Sequence, residues 1–229
     1  MNGNAQLKAA LEAKERRATE VIARAYKQYE NNCAVVFSGT KESTVLLHCV
    51  RAAFGGRITW KVLTIETGAE FAVVKSFVRG MAIEWDFQPV VLENKNRGAE
   101  QTPWASKDKA ECCRLLKTAP LLAAMAESGY GAVLMADSHH GWELGDEDFI
   151  RAQNGGHAVV RPLLHFAEID IWSYIKKYSL PFCGLYKKGY RKIDCMPCTA
   201  GPGVPGERRS GTERERQAIA SRLKSMGYF

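Results

Sequence analysis

The chain of 229 residues has no apolar run approaching the length of a membrane span, and its N-terminus carries no apolar signal-peptide core. A soluble, cytoplasmic protein is expected. No internal repeat and no low-complexity tract interrupts it. The Gly-x-x-x-x-Gly-Lys-[Ser/Thr] spacing of Walker phosphate loops is also missing. Cysteine is not scarce, but the count of seven is odd and no cysteine follows Cys198. In a reducing compartment such thiols serve as ligands, nucleophiles or core residues rather than disulfides.

What remains is enough for a sizeable core. A hydrophobic fraction of 46% at this length suits one α/β domain with extensions. The net charge of +7 and pI near 9.0 favour anionic partners such as nucleotides or nucleic acid, although solubility alone would account for them. Residues 1–30 read as an N-terminal amphipathic helix, with Leu7, Ala10, Leu11, Ala18, Val21, Ile22, Ala25 and Tyr26 at helical spacing. Lys14 falls inside that stripe, and Glu15, Arg16 and Arg17 read as its solvated face. Residues 31–180 alternate strands with helices, which predicts an open parallel sheet with right-handed crossovers and no hairpins. Within it, 111–128 is predicted helical but kinked or divided at Pro120, and 138–156 is predicted as a loop over the site. Residues 181–229 form a Gly-, Pro- and Lys-rich extension that turns strongly basic.

The organising stretch runs from Cys33 to His48. An apolar run ends at Ser38-Gly39-Thr40, small residues that let the backbone turn and approach a ligand. Helical spacing then begins at Glu42, with Ser43 and Thr44 in the first turn. Strand, small-residue loop and helix N-terminus in succession suit a phosphate, because unpaired N–H groups and the positive dipole end meet there. Lys41 is expected to add a mobile positive charge. Glu66, Thr67 and Gly68 follow the second strand, and a further loop follows Asp137. All three turns fall at strand carboxyl ends, where open sheets bind nucleotides.

Cys112-Cys113 and Cys195-x-x-Cys198 form two pairs. Four thiolates could hold zinc or an iron–sulfur cluster, and the spacing does not choose between them. Cys33, Cys49 and Cys183 have apolar neighbours and read as core. His139 and His140 are candidates for acid/base work or phosphate contact.

The Ser38–Ser43 loop resembles the Ser-Gly-Gly-Lys-Asp-Ser loop of the ATP pyrophosphatase superfamily, with Thr40 and Glu42 as departures. The segment from Glu111 to Leu121 is similar to the Cys-Cys-x-x-x-Lys-x-x-Pro-Leu element of assimilatory adenylyl-sulfate reductases. Gly189 to Thr199 resembles their Gly-Tyr-x-Ser-Ile-Gly-Cys-x-Pro-Cys-Thr element, with Lys192 and Asp194 departing. Pro162-Leu163 and Asp170 to Ile175 resemble a third element of that family. The resemblance covers about 34–211 and implies an adenine nucleotide alpha-hydrolase-like fold. It also implies a [4Fe–4S] cluster on Cys112, Cys113, Cys195 and Cys198, with Lys117 beside it.

Three departures bear on function. The reductases carry a catalytic cysteine in a C-terminal tail, an acidic or neutral residue at the position of Lys41, and an arginine-rich loop after the fourth strand. Here those features are a stretch without cysteine, a lysine, and Asp137-Ser138-His139-His140-Gly141-Trp142. Lys41 and the final Gly227-Tyr228-Phe229 are more similar to the small subunit of bacterial ATP sulfurylase. The ATP pyrophosphatase component of DNA phosphorothioation systems is a third relative, combining ATP cleavage with cluster cysteines. The expected function is therefore ATP cleavage to adenylate an oxyanion for sulfur transfer. Lys41 and Ser43 are the expected catalytic residues. Ser38, Gly39, Thr40, Glu42, Glu66, Thr67 and Gly68 are expected to hold ATP, with Glu42 helping to bind Mg²⁺. DNA, a sulfur donor such as a cysteine desulfurase, and a second copy of the chain are the expected partners. A reductase that borrows its missing cysteine, and a catalytically silent nucleotide-binding subunit, are the alternatives.

Overall fold

The computed structural model describes residues 3–93, 112–138, 149–153 and 156–202. Helix α1 (Gly3–Tyr29) leads into β1 (Cys33–Val36), α2 (Lys41–Ala53), β2 (Lys61–Ile65), α3 (Ala72–Glu84) and β3 (Pro89–Leu92). Then come α4 (Ala119–Ser128), β4 (Ala132–Leu134), β5 (Ile150–Ala152), β6 (Ala158–Val160), α5 (Glu168–Lys177) and the single turn α6 (Gly184–Lys187).

The strands form one sheet in the order β3-β2-β1-β4-β6-β5. The pairings among β3, β2, β1, β4 and β6 are parallel, as the strand–helix alternation predicts. β5 departs from that expectation. It runs antiparallel to β6, with Arg151 opposite Val159, so the segment read as a loop contains an edge strand. Three residues, two of them exposed, are too few to show a period, which is why the sequence conceals it.

Alternation along β1 divides the core. Cys33, Val35 and Phe37 face a large apolar cluster that includes Val21 of α1, Leu46 of α2, Val78 of α3 and Trp172 of α5. Ala34 faces the opposite way, toward Leu63, Val133, Leu121 and Met125, beneath α4. Helices thus cover both faces. Cys183, Leu185, Tyr186 and Ile193, all beyond residue 181, are buried in the larger cluster.

On α1, Leu11, Ala18, Val21, Ile22 and Ala25 are buried as the stripe predicts, but Leu7 and Tyr26 are 40% and 43% exposed. Two charges bind the helix to the fold: Lys14, inside the stripe, and Glu15, expected on the solvated face, while Arg16 is exposed. Lys14 pairs with Asp170, and Glu15 accepts from Lys177 at 2.7 Å and Tyr178 at 3.1 Å. Ahead of α4, Arg114–Thr118 forms a π-turn in which the Ala119 N–H reaches back to the Arg114 carbonyl. Pro120 has no N–H and its ring crowds the carbonyl four residues back, so the divided helix has an identifiable cause.

Candidate active site

The sheet order reverses between β1 and β4, the point at which open α/β sheets accept ligands. β1 has β2 on one side and β4 on the other, with Val36 opposite Leu63 and Val35 opposite Leu134. The loops that begin at Ser38, Glu66 and Met135 therefore leave neighbouring strand ends and border one crevice.

The first loop is braced from within. Thr40 caps α2, its Oγ1 accepting the Ser43 N–H at 3.2 Å. Ser43 is 1% exposed, accepts from the Ser38 N–H at 3.3 Å and donates to the Thr40 carbonyl at 3.0 Å. Gly39 sits at φ +72°, which a side chain would strain. Among the described residues, the N–H groups of Gly39, Thr40 and Glu42 have no partner. Three such donors at a helix N-terminus are the arrangement that anion-binding nests use.

Lys41 is not the mobile cation expected. It is 2% exposed, and its ammonium donates to the Arg191 carbonyl at 2.7 Å. Glu42 Oε1 lies at 2.8 Å and Glu168 Oε1 at 3.7 Å. The rings of Tyr186 and Trp172 enclose it, at 5.0 and 6.0 Å from Nζ to the centroids. The Lys41 N–H donates to the Tyr186 hydroxyl at 3.0 Å, so one of the orphan donors of α2 is already satisfied. Burial raises the phenol of Tyr186 well above its ordinary pKa and keeps it protonated. Tyr186, Glu168 and Arg191 lie 127 or more residues from Lys41, and no local pattern pointed to them.

The second loop is organised by Glu70, also unanticipated. Its carboxylate accepts from the Thr67 N–H at 2.7 Å, the Thr67 hydroxyl at 2.6 Å and the Gly68 N–H at 3.2 Å. Burial pushes its pKa up, but those hydrogen bonds outweigh it and the net shift is downward. Glu66 accepts from Lys75 at 2.6 Å. Beyond β4, Asp137 accepts from Arg161 at 2.8 Å.

The Cys195–Cys198 segment docks on that second loop. Met196 N–H donates to the Ala69 carbonyl at 2.8 Å, and Cys195 Sγ lies 3.3 Å from Thr67 Oγ1. Cys112 and Cys113 approach from the start of the divided helix. Burial raises the Cys112 pKa, and the nearby Cys113, Cys195 and Cys198 raise it further. Cys112 thus lies within electrostatic reach of the other three thiols. Each is a free thiol, and among the described residues no three Cys, His, Asp or Glu side chains are grouped as a metal site. As a donor set, four sulfurs with one ammonium beside them suit zinc or an iron–sulfur cluster.

Lys117 supplies that ammonium. It pairs with Asp194, which also accepts the Cys195 N–H at 2.9 Å. Burial lowers the Lys117 pKa, but Asp194 more than reverses this and the net shift is upward. Asp194, visible in the sequence only as a departure from a resembled motif, is what positions Lys117. His139, His140 and the basic residues beyond 202 lie outside the described residues. A separate groove of about 600 Å³, lined by Glu15, His48, Cys49, Tyr174 and Tyr178 among others, includes none of the candidate site residues.

Residues 32–201 match the family described as phosphoadenosine phosphosulfate reductase domain, well over half of the chain. The chain belongs to this family. Adenosine 5'-phosphosulfate reductase of Geobacillus thermodenitrificans is 27% identical over 206 residues, covering 85% of this chain and 84% of that protein. Among solved structures, Candida glabrata FMN adenylyltransferase in complex with ATP superposes with a TM-score of 0.65 at 11% identity. That likeness covers 94% of this chain and 81% of the other. The U34-tRNA thiolase NcsA of Methanococcus maripaludis, with its [4Fe–4S] cluster, superposes with a TM-score of 0.60 at 13% identity. It covers 96% of this chain and 74% of the thiolase. At such identities the two structures show a shared fold, and the family's relatives process nucleotides.

Proposed function

We propose that this family member cleaves ATP between the α- and β-phosphates and adenylates an oxyanion for sulfur transfer. The observation that carries the reading is the first turn of α2, where an anion nest and Lys41 begin the same helix. A triphosphate seated there would meet the N–H groups of Gly39, Thr40 and Glu42. Lys41 would neutralise charge as pyrophosphate leaves, from a site where burial strengthens its field. Ser38, Thr40 and Ser43 would keep the nest in shape, and Glu66, Thr67 and Gly68 would line the nucleotide crevice. Glu42, whose carboxylate side chain is 24% exposed, is the candidate ligand for Mg²⁺, which would offset the charge of the phosphates. ATP bound to the adenylyltransferase neighbour supports this nucleotide, and the thiolase neighbour supports pairing it with a cluster.

Cys112, Cys113, Cys195 and Cys198 would hold a [4Fe–4S] cluster, one cysteine to each iron, which would supply electron transfer when bound. Lys117 would offset the negative charge of those thiolates, and Thr67 would donate to Cys195. The acceptor favoured here is a DNA backbone phosphate, in keeping with the net charge of +7, with sulfur delivered by a partner such as a cysteine desulfurase. A reductase acting on adenylyl sulfate is the second reading, favoured by the 27% identical relatives.

One incubation separates the two. Purified protein is given ATP and Mg²⁺ with and without DNA, and, in parallel, adenylyl sulfate with a thiol. AMP and pyrophosphate in the first arm support the proposal; sulfite in the second alone replaces it with the reductase. Stimulation by DNA is the result expected if a backbone phosphate is the acceptor.

A further inference from the structure

Three segments far apart in sequence close a ring beneath the phosphate loop. Lys41 Nζ donates to the Arg191 carbonyl at 2.7 Å, Arg191 Nη2 donates to Glu168 Oε2 at 2.6 Å, and Glu168 Oε1 stands 3.7 Å from Lys41 Nζ. Glu168 is the member that meets both cations, one with each oxygen. It begins α5, where the helix dipole favours its negative charge. Trp172 of the same helix and Tyr186 wall the ammonium in, leaving the Lys41 side chain 3% exposed. Glu42 also touches that ammonium, but it belongs to α2 and moves with it. The Arg191 carbonyl and Glu168 come from outside α2, and Glu168 holds the Arg191 guanidinium as well, so it ties Lys41 and its carbonyl partner to α5. Arg191 lies four residues before Cys195 in a segment that also reaches the second loop through Ala69 and Thr67.

We propose that Glu168 is the positioning residue of Lys41, and that through Arg191 it holds the cysteine-bearing segment against the phosphate loop. The first half rests on the reading of Lys41 as the cation beside a triphosphate. With its anchor to α5 gone, the ammonium follows the phosphates of bound ATP rather than standing where the leaving group develops charge. Ground-state binding is kept while transition-state stabilisation is lost. Arg191 loses its carboxylate at the same time, and the segment it begins is released.

The test uses the full chain as wild type, Glu168→Gln and Glu168→Asp, with two readouts. Steady-state pyrophosphate release is followed against ATP concentration, and amide exchange is followed over residues 184–193 and over β1. Glu168→Gln is expected to lose kcat by about tenfold or more without a rise in KM for ATP. Its 184–193 amides are expected to exchange faster while those of β1 do not, and Glu168→Asp is expected to regain most of both. An unchanged kcat, a loss confined to KM, or an unchanged 184–193 segment overturns the proposal. If the wild type itself releases no pyrophosphate, the ATP reading fails, and the exchange readout alone then decides the tie between Glu168 and the segment. If Glu168→Gln does not fold, Glu168→Asp decides, by a smaller loss of kcat at unchanged KM.

Discussion

Val74 Cγ1 and Val78 Cγ2 each lie 3.0 Å from the point a Cβ on Gly39 would occupy, and the residue's φ is +72°. Gly39→Ala therefore adds steric conflict with α3 to left-handed backbone strain. It is expected to cost about 1–3 kcal/mol, read as a lower urea midpoint, and to weaken nucleotide binding through the distorted nest. The thiols offer a second residue-scale prediction. Burial pushes Cys33 and Cys49 each up to about 12, whereas Cys113 and Cys198 are exposed. Iodoacetamide at mildly alkaline pH should label Cys113 and Cys198 of metal-free protein first and leave Cys33 and Cys49 intact until unfolding. Early loss of Cys33 would contradict the core described above. The sign of the pH effect follows as well. Buried thiols favour the protonated folded state, so stability is present below their ordinary pKa of 9.0 and falls as pH rises from there toward about 12.

The elements that carry the site were legible to different degrees, for physical reasons. The β1–loop–α2 unit could be read because strand, small residues and helical spacing lie within sixteen consecutive positions. The ring of Lys41, Glu168 and Arg191 could not, since its members meet only when α5 and the segment after it fold back over α2. β5 escaped because a three-residue edge strand has no period to detect. Pro120 was legible as a breaker, but the π-turn it accompanies was not. That turn rotates Cys112 and Cys113 relative to α4, so Pro120→Ala, which restores an N–H, is expected to let the helix rewind. The expected outcome is weaker iron loading at preserved secondary content, seen in the visible spectrum and far-UV circular dichroism of reconstituted protein. The Lys117–Asp194 pair predicts a pH window for the docked cysteine loop. The Asp194 pKa is lowered, burial opposing and Lys117 winning, so its contribution is lost as pH falls below 3.8 and on through the shifted value. Lys117 is raised, so its contribution holds below 10.5 and is lost as pH climbs through its higher value. Asp194→Asn should destabilise at neutral pH, with the difference from wild type closing in acid.

At the scale of the molecule, a largely parallel six-stranded sheet brings the Ser38 and Glu66 loops and the cysteine segment to one rim. The Cys195 loop rests on the Thr67 turn, and the segment before it is clasped to Lys41 by the Arg191 carbonyl and Tyr186. The candidate phosphate loop and the cysteine segment are thus adjacent by construction. No helix among the described residues is long and apolar enough to cross a membrane. The family and the fold follow from the whole chain; the proposed reaction depends on Lys41. The most direct measurement is pyrophosphate release from ATP by wild type and Lys41→Met, both shown to be folded by circular dichroism. The account predicts release by the wild type and a loss of roughly 10²–10³-fold in the variant. Equal rates in the two, or no release by either, would contradict it.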